Sequence, residues 1–178
     1  MPRLILTGAL LAALVTLAAC APKPPAGGGS FRQAGADIWS NAVTAPAALA
    51  GTWRQVATFA DAEGAGCAPG FVTFTPAGSA LGAEGRLCLN GRQAAFRGPL
   101  VPTGPGRLRP AGQVQVPLGQ DWWLLWIDVD VRTVVVGTPS GDFGFILNRD
   151  ARLPADRATA AREILDWNGY DTARLRGF

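Results

Sequence analysis

The sequence predicts an all-β domain, a barrel or a sandwich of short strands, with one helix near its C-terminal end. Three observations lead there. From Gly51 onward the chain breaks into short apolar runs separated by turn residues, and many short strands at close spacing build sandwiches and barrels. Its 178 residues include 23 Gly and 14 Pro, which favour turns over long helices. Helical spacing of apolar residues is clear only late, at Ala158, Ala161, Ile164 and Leu165. The length suits one cored domain.

The first element is not part of that domain. Arg3 precedes an uncharged, mostly apolar run, Leu4 to Ala19. The run is short of the roughly 20 residues that a membrane span needs and suits a signal peptide. It ends in Leu17-Ala18-Ala19-Cys20, which resembles the bacterial lipobox. That resemblance implies a signal peptide over 1–19, diacylglycerol on the Cys20 thiol and acylation of the new amine. Ala21, rather than Asp, follows the cysteine. In such lipoproteins this implies an outer-membrane destination in the bacterial envelope, facing the periplasm. Residues 20–48 are expected to form a lipidated, flexible tether, since APKPPAGGGS is rich in Pro and Gly and carries no apolar period. Ile38, Trp39 and Val43 are available to cover one end of the folded domain, residues 49–178.

The strands follow in order. GTWRQVATFA, GFVTFTP, GRLCLNG, RQAAFRGPL, WWLLWIDVD, RTVVVGTP and FGFILNR each read as strands, several alternating in polarity. Between Pro99 and Gln120 five prolines leave only weak strands, Arg107–Arg109 and Gln113–Val116. Pro154 suits the first turn of the helix and Asn168-Gly169 its end. An Ala-rich face lets that helix pack closely on the outside of the sheet.

Composition narrows the chemistry. The chain has no His, which removes His triads, His bases and His metal ligands together. Three Cys are too few for a Cys₄ zinc site. No metal, cofactor or catalytic residue is expected. The basic side is 15 Arg and one Lys against 13 acids, spread along the chain with no stripe for a nucleic acid. With Cys20 acylated, Cys67 and Cys88 remain, an even pair in an exported chain, and a disulfide is expected. Asp128, Asp130 and Arg132 fall at a strand end and read as a solvated turn. Asp142, in Gly141-Asp142-Phe143-Gly144, reads as a turn residue between two strands.

Gly51-Thr52-Trp53 opens the first strand. It is similar to the GxW signature of the lipocalins, most closely to their bacterial outer-membrane lipoprotein branch. WWLLWIDVDVRTVVVGTPSGDFGFILNRDARLP resembles the last three strands of that branch, with Asp128 in the turn motif and Arg149 closing the last strand. The agreement is strong over 49–60 and 121–175 and weak between. The resemblance implies an eight-stranded antiparallel up-and-down barrel with the helix outside. It pairs Trp53 with Arg149 at the closed end. By period two, Trp122, Leu124 and Trp126 share one face, and the lipocalin pattern turns that face inward. With Phe59, Phe143 and Phe145 they are the expected lining for a small hydrophobic ligand such as a fatty acid or lysophospholipid. Two other readings stand beside it: a periplasmic barrel-type protease inhibitor, and a lipid-modifying enzyme on the same barrel. The missing His and a paired Cys weigh against the enzyme.

Overall fold

The computed structural model describes residues 29–43, 45–78 and 80–178. The expected signal peptide, 1–19, and Cys20 lie outside the described residues. A short 3₁₀ turn, Pro46–Leu49, leads into nine strands in chain order: β1 (Gly51–Phe59), β2 (Phe71–Ala77), β3 (Ala80–Leu89), β4 (Arg92–Gly104), β5 (Arg107–Pro110), β6 (Gln113–Val114), β7 (Trp122–Ile127), β8 (Thr133–Gly137) and β9 (Gly144–Asn148). Helix α1 (Ala155–Trp167) and a last strand β10 (Leu175–Gly177) follow. Eight strands run β1-β2-β3-β4-β5-β7-β8-β9 as antiparallel neighbours, and β9 returns to β1 to close the barrel. β6 adds to β4, and β10 lies along β1 at Ala57–Phe59, beyond the Gly51–Arg54 segment that pairs with β2.

The proline-rich middle is more ordered than its composition suggests. β4 runs on through Pro99 and Pro102, and β5 and β6 fall where the weak strands were expected. Gln115 extends the pairing beyond β6: its backbone N–H donates to Ala95 O, and its side-chain Oε1 accepts from Ala95 N–H at 2.7 Å.

Two apolar cores form. Trp53, Val72, Leu87, Phe96, Leu100, Trp122, Leu124, Val134, Phe143, Phe145 and Leu147 are among those filling the barrel. Outside it, Phe31, Val56, Ala57, Phe59, Leu125, Val135, Ile146 and Tyr170 pack with Ala161 and Leu165 of α1. The small Ala161 allows the close helix approach that the sequence predicts. Pro154 stands at the N-cap, and Gly169, at φ +81°, follows the helix in the left-handed conformation that ends it.

Part of the expected tether is instead bound to the barrel. Phe31 stacks near Phe59, with ring centroids 5.5 Å apart. Arg32 is buried at 5% exposure and donates to the carbonyls of Asn168, Pro139, Ala36 and Asp37. Farther along, Asn41 N–H donates to Leu124 O at 2.6 Å. Five donors in a fixed fork let one arginine satisfy several otherwise orphaned carbonyls. Ile38 packs on the outer core, while Trp39 and Val43 are exposed.

Candidate functional site: the two ends of the barrel

The end at which β1 begins is closed. Trp53 is fully buried and donates Nε1–H to Leu49 O at 2.7 Å. The Arg149 guanidinium lies over its ring at 3.8 Å. Gly51 carries φ +101°, a conformation that favours glycine, and a Cβ there would sit 2.9 Å from Arg149 Nη1 and push the guanidinium aside. Burial holds the Arg149 pKa below the ordinary guanidinium value, with a smaller contribution from Arg132. Asp128 accepts from the N–H groups of Arg132 and Thr133 and lies 3.8 Å from Arg157. Arg157, on α1, also donates to Thr133 Oγ1 and Asn148 Oδ1. This knot clamps the helix to the β7–β8 turn. Asp128 is thus a turn residue with a structural partner; nothing in the sequence singled out Arg157.

At the opposite end the β3–β4 turn, the segment between β6 and β7 and the β8–β9 loop converge. The Cys67–Cys88 disulfide fixes the β1–β2 loop to β3, as expected, with Cα atoms 5.7 Å apart. Gln55 reinforces it from inside: its Oε1 accepts from the N–H groups of Gly70 and Cys88, and its Nε2 donates to Cys88 O. A mouth cavity of about 420 Å³ lies here, lined by Leu89, Asn90, Arg92, Ala94, Val116, Pro117 and Asp142. Asp142 accepts from Gln120 Nε2, which ties two of the mouth segments together.

Beneath the mouth the barrel is occupied by aromatic rings. Trp122 meets Phe96 edge-on at 5.0 Å and Phe145 edge-on at 5.4 Å, and Phe143 stacks on Phe145 at 5.9 Å. Trp122 Nε1 donates to Leu118 O, and Leu118 is itself fully buried. Four of the six expected lining residues, Trp122, Leu124, Phe143 and Phe145, therefore meet inside the barrel. Trp126 and Phe59 do not. A register shift between Leu124 and Trp126 inserts one residue into β7, so Ile127 turns in and Trp126 turns out onto the outer core. A second shift between Gln55 and Ala57 does the same in β1 and sends Phe59 outward against Tyr170 and Phe31. The inward residue beside it is Thr58, directly opposite Phe145 and fully buried. Its Oγ1 has no hydrogen-bond partner among the described residues.

Outside, Tyr170 holds the barrel to its coverings. Its hydroxyl accepts from Thr138 N–H at 2.7 Å and donates to Phe143 O at 2.9 Å. A Cβ on Gly137 would lie 2.6 Å from that oxygen, so β8 must carry a glycine there. Burial pushes the phenol pKa well above its ordinary value. Two wider concavities, about 610 and 440 Å³, lie on the outer wall.

Comparison with known proteins agrees with this architecture. Residues 110–177 match the model of a lipocalin-like domain. Temperature-induced lipocalin-1 of Arabidopsis thaliana is 32% identical over 60 residues, 34% of this chain and 32% of that protein. The match thus spans about a third of the relative's length. Lobster apocrustacyanin A1 superposes with a TM-score of 0.54 at 18% identity, covering 74% of this chain and 77% of that one. H1 crustacyanin from the lobster Homarus americanus gives 0.52 at 17% identity over 72% and 75%, and apocrustacyanin C2 gives 0.53 at 16% identity over 79% and 88%. The closed eight-stranded barrel with one external helix is the lipocalin fold.

Proposed function

We propose that this chain is an envelope lipoprotein of the bacterial lipocalin branch that holds a small hydrophobic ligand at the open end of its barrel. One observation carries the reading: a cavity of about 420 Å³ lies at the mouth, above the packed interior rings, with buried Leu89 and Ala94 and exposed Asn90 and Arg92 among its lining, together with Asp142. That volume lies within the roughly 300–1,000 Å³ of small-molecule sites. The lipocalin fold generally serves such ligands, and the export signal with Cys20 supports attachment to a membrane. The ligand class is a fatty acid, a lysophospholipid or a similar amphiphile. Its tail enters toward Trp122, Phe143 and Phe145, and its head stays at the rim near Arg92. Each buried methylene contributes about 0.8 kcal/mol, so six give about 5 kcal/mol before association costs.

Native mass spectrometry of the purified chain tests this directly, with tryptophan emission during fatty-acid titration as the second readout. A co-purified lipid, or an emission change that disappears in Trp122→Phe, is expected. No adduct and no response at any chain length would sink the reading. Ring packing of Trp122 between Phe96 and Phe145 favours a second reading, in which the filled barrel acts through its outer surface on a protein partner, as barrel-type protease inhibitors do.

A further inference from the structure

The outer wall carries a groove of about 440 Å³ that is separate from the mouth. Its floor is Val56 and Ala57 of β1 with Ile146 of β9. All three are buried and belong to the outer core. The register shift at Gln55/Ala57 presents both Val56 and Ala57 to this side and so makes the floor apolar over its width. One bank is α1 with the segment before it, contributing Leu153, Ala158, Arg152 and Arg162. The other is β10, held on β1 by the Ala57/Gly177 pair and by Phe178 N–H donating to Val56 O. Gly177 leaves open space on the β10 bank. A Cβ on Gly177 would meet nothing within 4 Å, and Gly177 shares its face with Ala57, opposite which it pairs.

We propose that this groove is a second ligand site, which takes a single acyl chain bearing an anionic head group. A trough with an apolar floor, and with Leu153 and Ala158 on one bank and Leu175 and Phe178 on the other, fits a hydrocarbon chain. The lining side chains include two arginines and no Asp or Glu, so the head group it favours is a carboxylate or a phosphate. Arg162 donates through Nη1 to Thr172 O at 2.8 Å, which holds the guanidinium at the helix bank beside the groove. The site does not depend on the barrel holding anything.

The test is paramagnetic broadening of backbone amides by a doxyl-labelled dodecanoate added to the full chain, with calorimetry of dodecanoate, lyso-phosphatidylglycerol and dodecanol. Broadening at Ala57, Ile146, Ala158 and Gly177 is expected, as is dodecanoate binding at least tenfold weaker in Gly177→Leu, which fills the open space. Arg152→Gln with Arg162→Gln should bring dodecanoate down to the affinity of dodecanol. The tighter of dodecanoate and lyso-phosphatidylglycerol identifies a free acid or a lipid as the source. Broadening confined to Leu89 and Ala94 at the mouth would overturn the groove site and leave the barrel reading standing. Equal affinity for dodecanol and both anions would overturn the role of the arginines. No broadening anywhere would overturn the groove and the barrel site together.

Discussion

The guanidinium of Arg149 lies 3.8 Å above the ring of Trp53 and joins the end of β9 to the start of β1 across the seam where the barrel closes. Around this stack the indole N–H is satisfied by Leu49 O, and Arg149 Nη1 reaches Thr52 O at 3.4 Å. The pair acts on closure and lies at the end of the barrel remote from the mouth.

Trp53→Ala is expected to cost about 3–5 kcal/mol, the range for deleting a buried aromatic. Arg149→Ala should cost less, near the 1–2 kcal/mol of a sheltered cation–π contact. Urea midpoints of both variants and the parent check this. Equal midpoints in all three would show that the two residues do not support the barrel.

Reduction of Cys67–Cys88 should lower the thermal midpoint. The closed loop spans 21 residues, and the chain-entropy model gives roughly 3 kcal/mol for that size. Thermal unfolding with and without reductant measures it. Because Gln55 still bridges Gly70 and Cys88, the reduced protein should keep its near-ultraviolet dichroism at 25 °C; its loss would assign the loop to the disulfide alone.

Tyr170 is the only tyrosine of the chain, so its ionisation can be followed by phenolate absorbance alone. Its folded pKa is raised by burial above the unfolded value near 10. Stability from the neutral phenol is therefore fully present below about pH 10 and is lost as the pH rises toward the folded pKa. Phenolate absorbance should appear only together with unfolding. Reversible titration near pH 10 in a protein that keeps its dichroism would contradict the buried hydroxyl.

Trp126→Ala should loosen the outer core and leave fatty-acid titration unchanged, because Trp126 faces α1 and the covering segment, away from the interior. Trp122→Phe is the contrasting variant, since Trp122 sits among Phe96 and Phe145. Parallel emission titrations separate the two. Weaker binding in Trp126→Ala would place that indole beside the ligand.

These two tryptophans also show where sequence reading ends. Strand positions and the outside helix are legible because each rests on a local pattern, the disulfide because two cysteines remain once Cys20 is set aside, and the Trp53–Arg149 pair because the lipocalin resemblance implies it. Facing is legible only while alternation is unbroken. A single inserted residue at Leu125 reverses every side chain after it, and the energetic reason lies in neighbouring strands. Phe59 and Thr58 exchange faces for the same reason. Arg32 was hidden differently: its carbonyl partners Asn168 and Pro139 stand far away in sequence, so composition alone groups it with the tether.

Thr58 gives the last prediction. The shift in β1 turns its side chain inward, opposite Phe145, at no measurable exposure and without a partner for Oγ1 among the described residues. A buried polar group left unpaired costs about 1–3 kcal/mol relative to an apolar group of the same shape. Valine has that shape and the β-branch that suits a strand. Thr58→Val should therefore raise the urea midpoint by the equivalent of about 1 kcal/mol, with an unchanged slope. Thr58→Ser keeps the unpaired hydroxyl and loses a methyl, so it should fall below the parent. Should the valine variant be the less stable of the two, the hydroxyl has a partner and the inward facing of β1 beyond the shift would need to be redrawn.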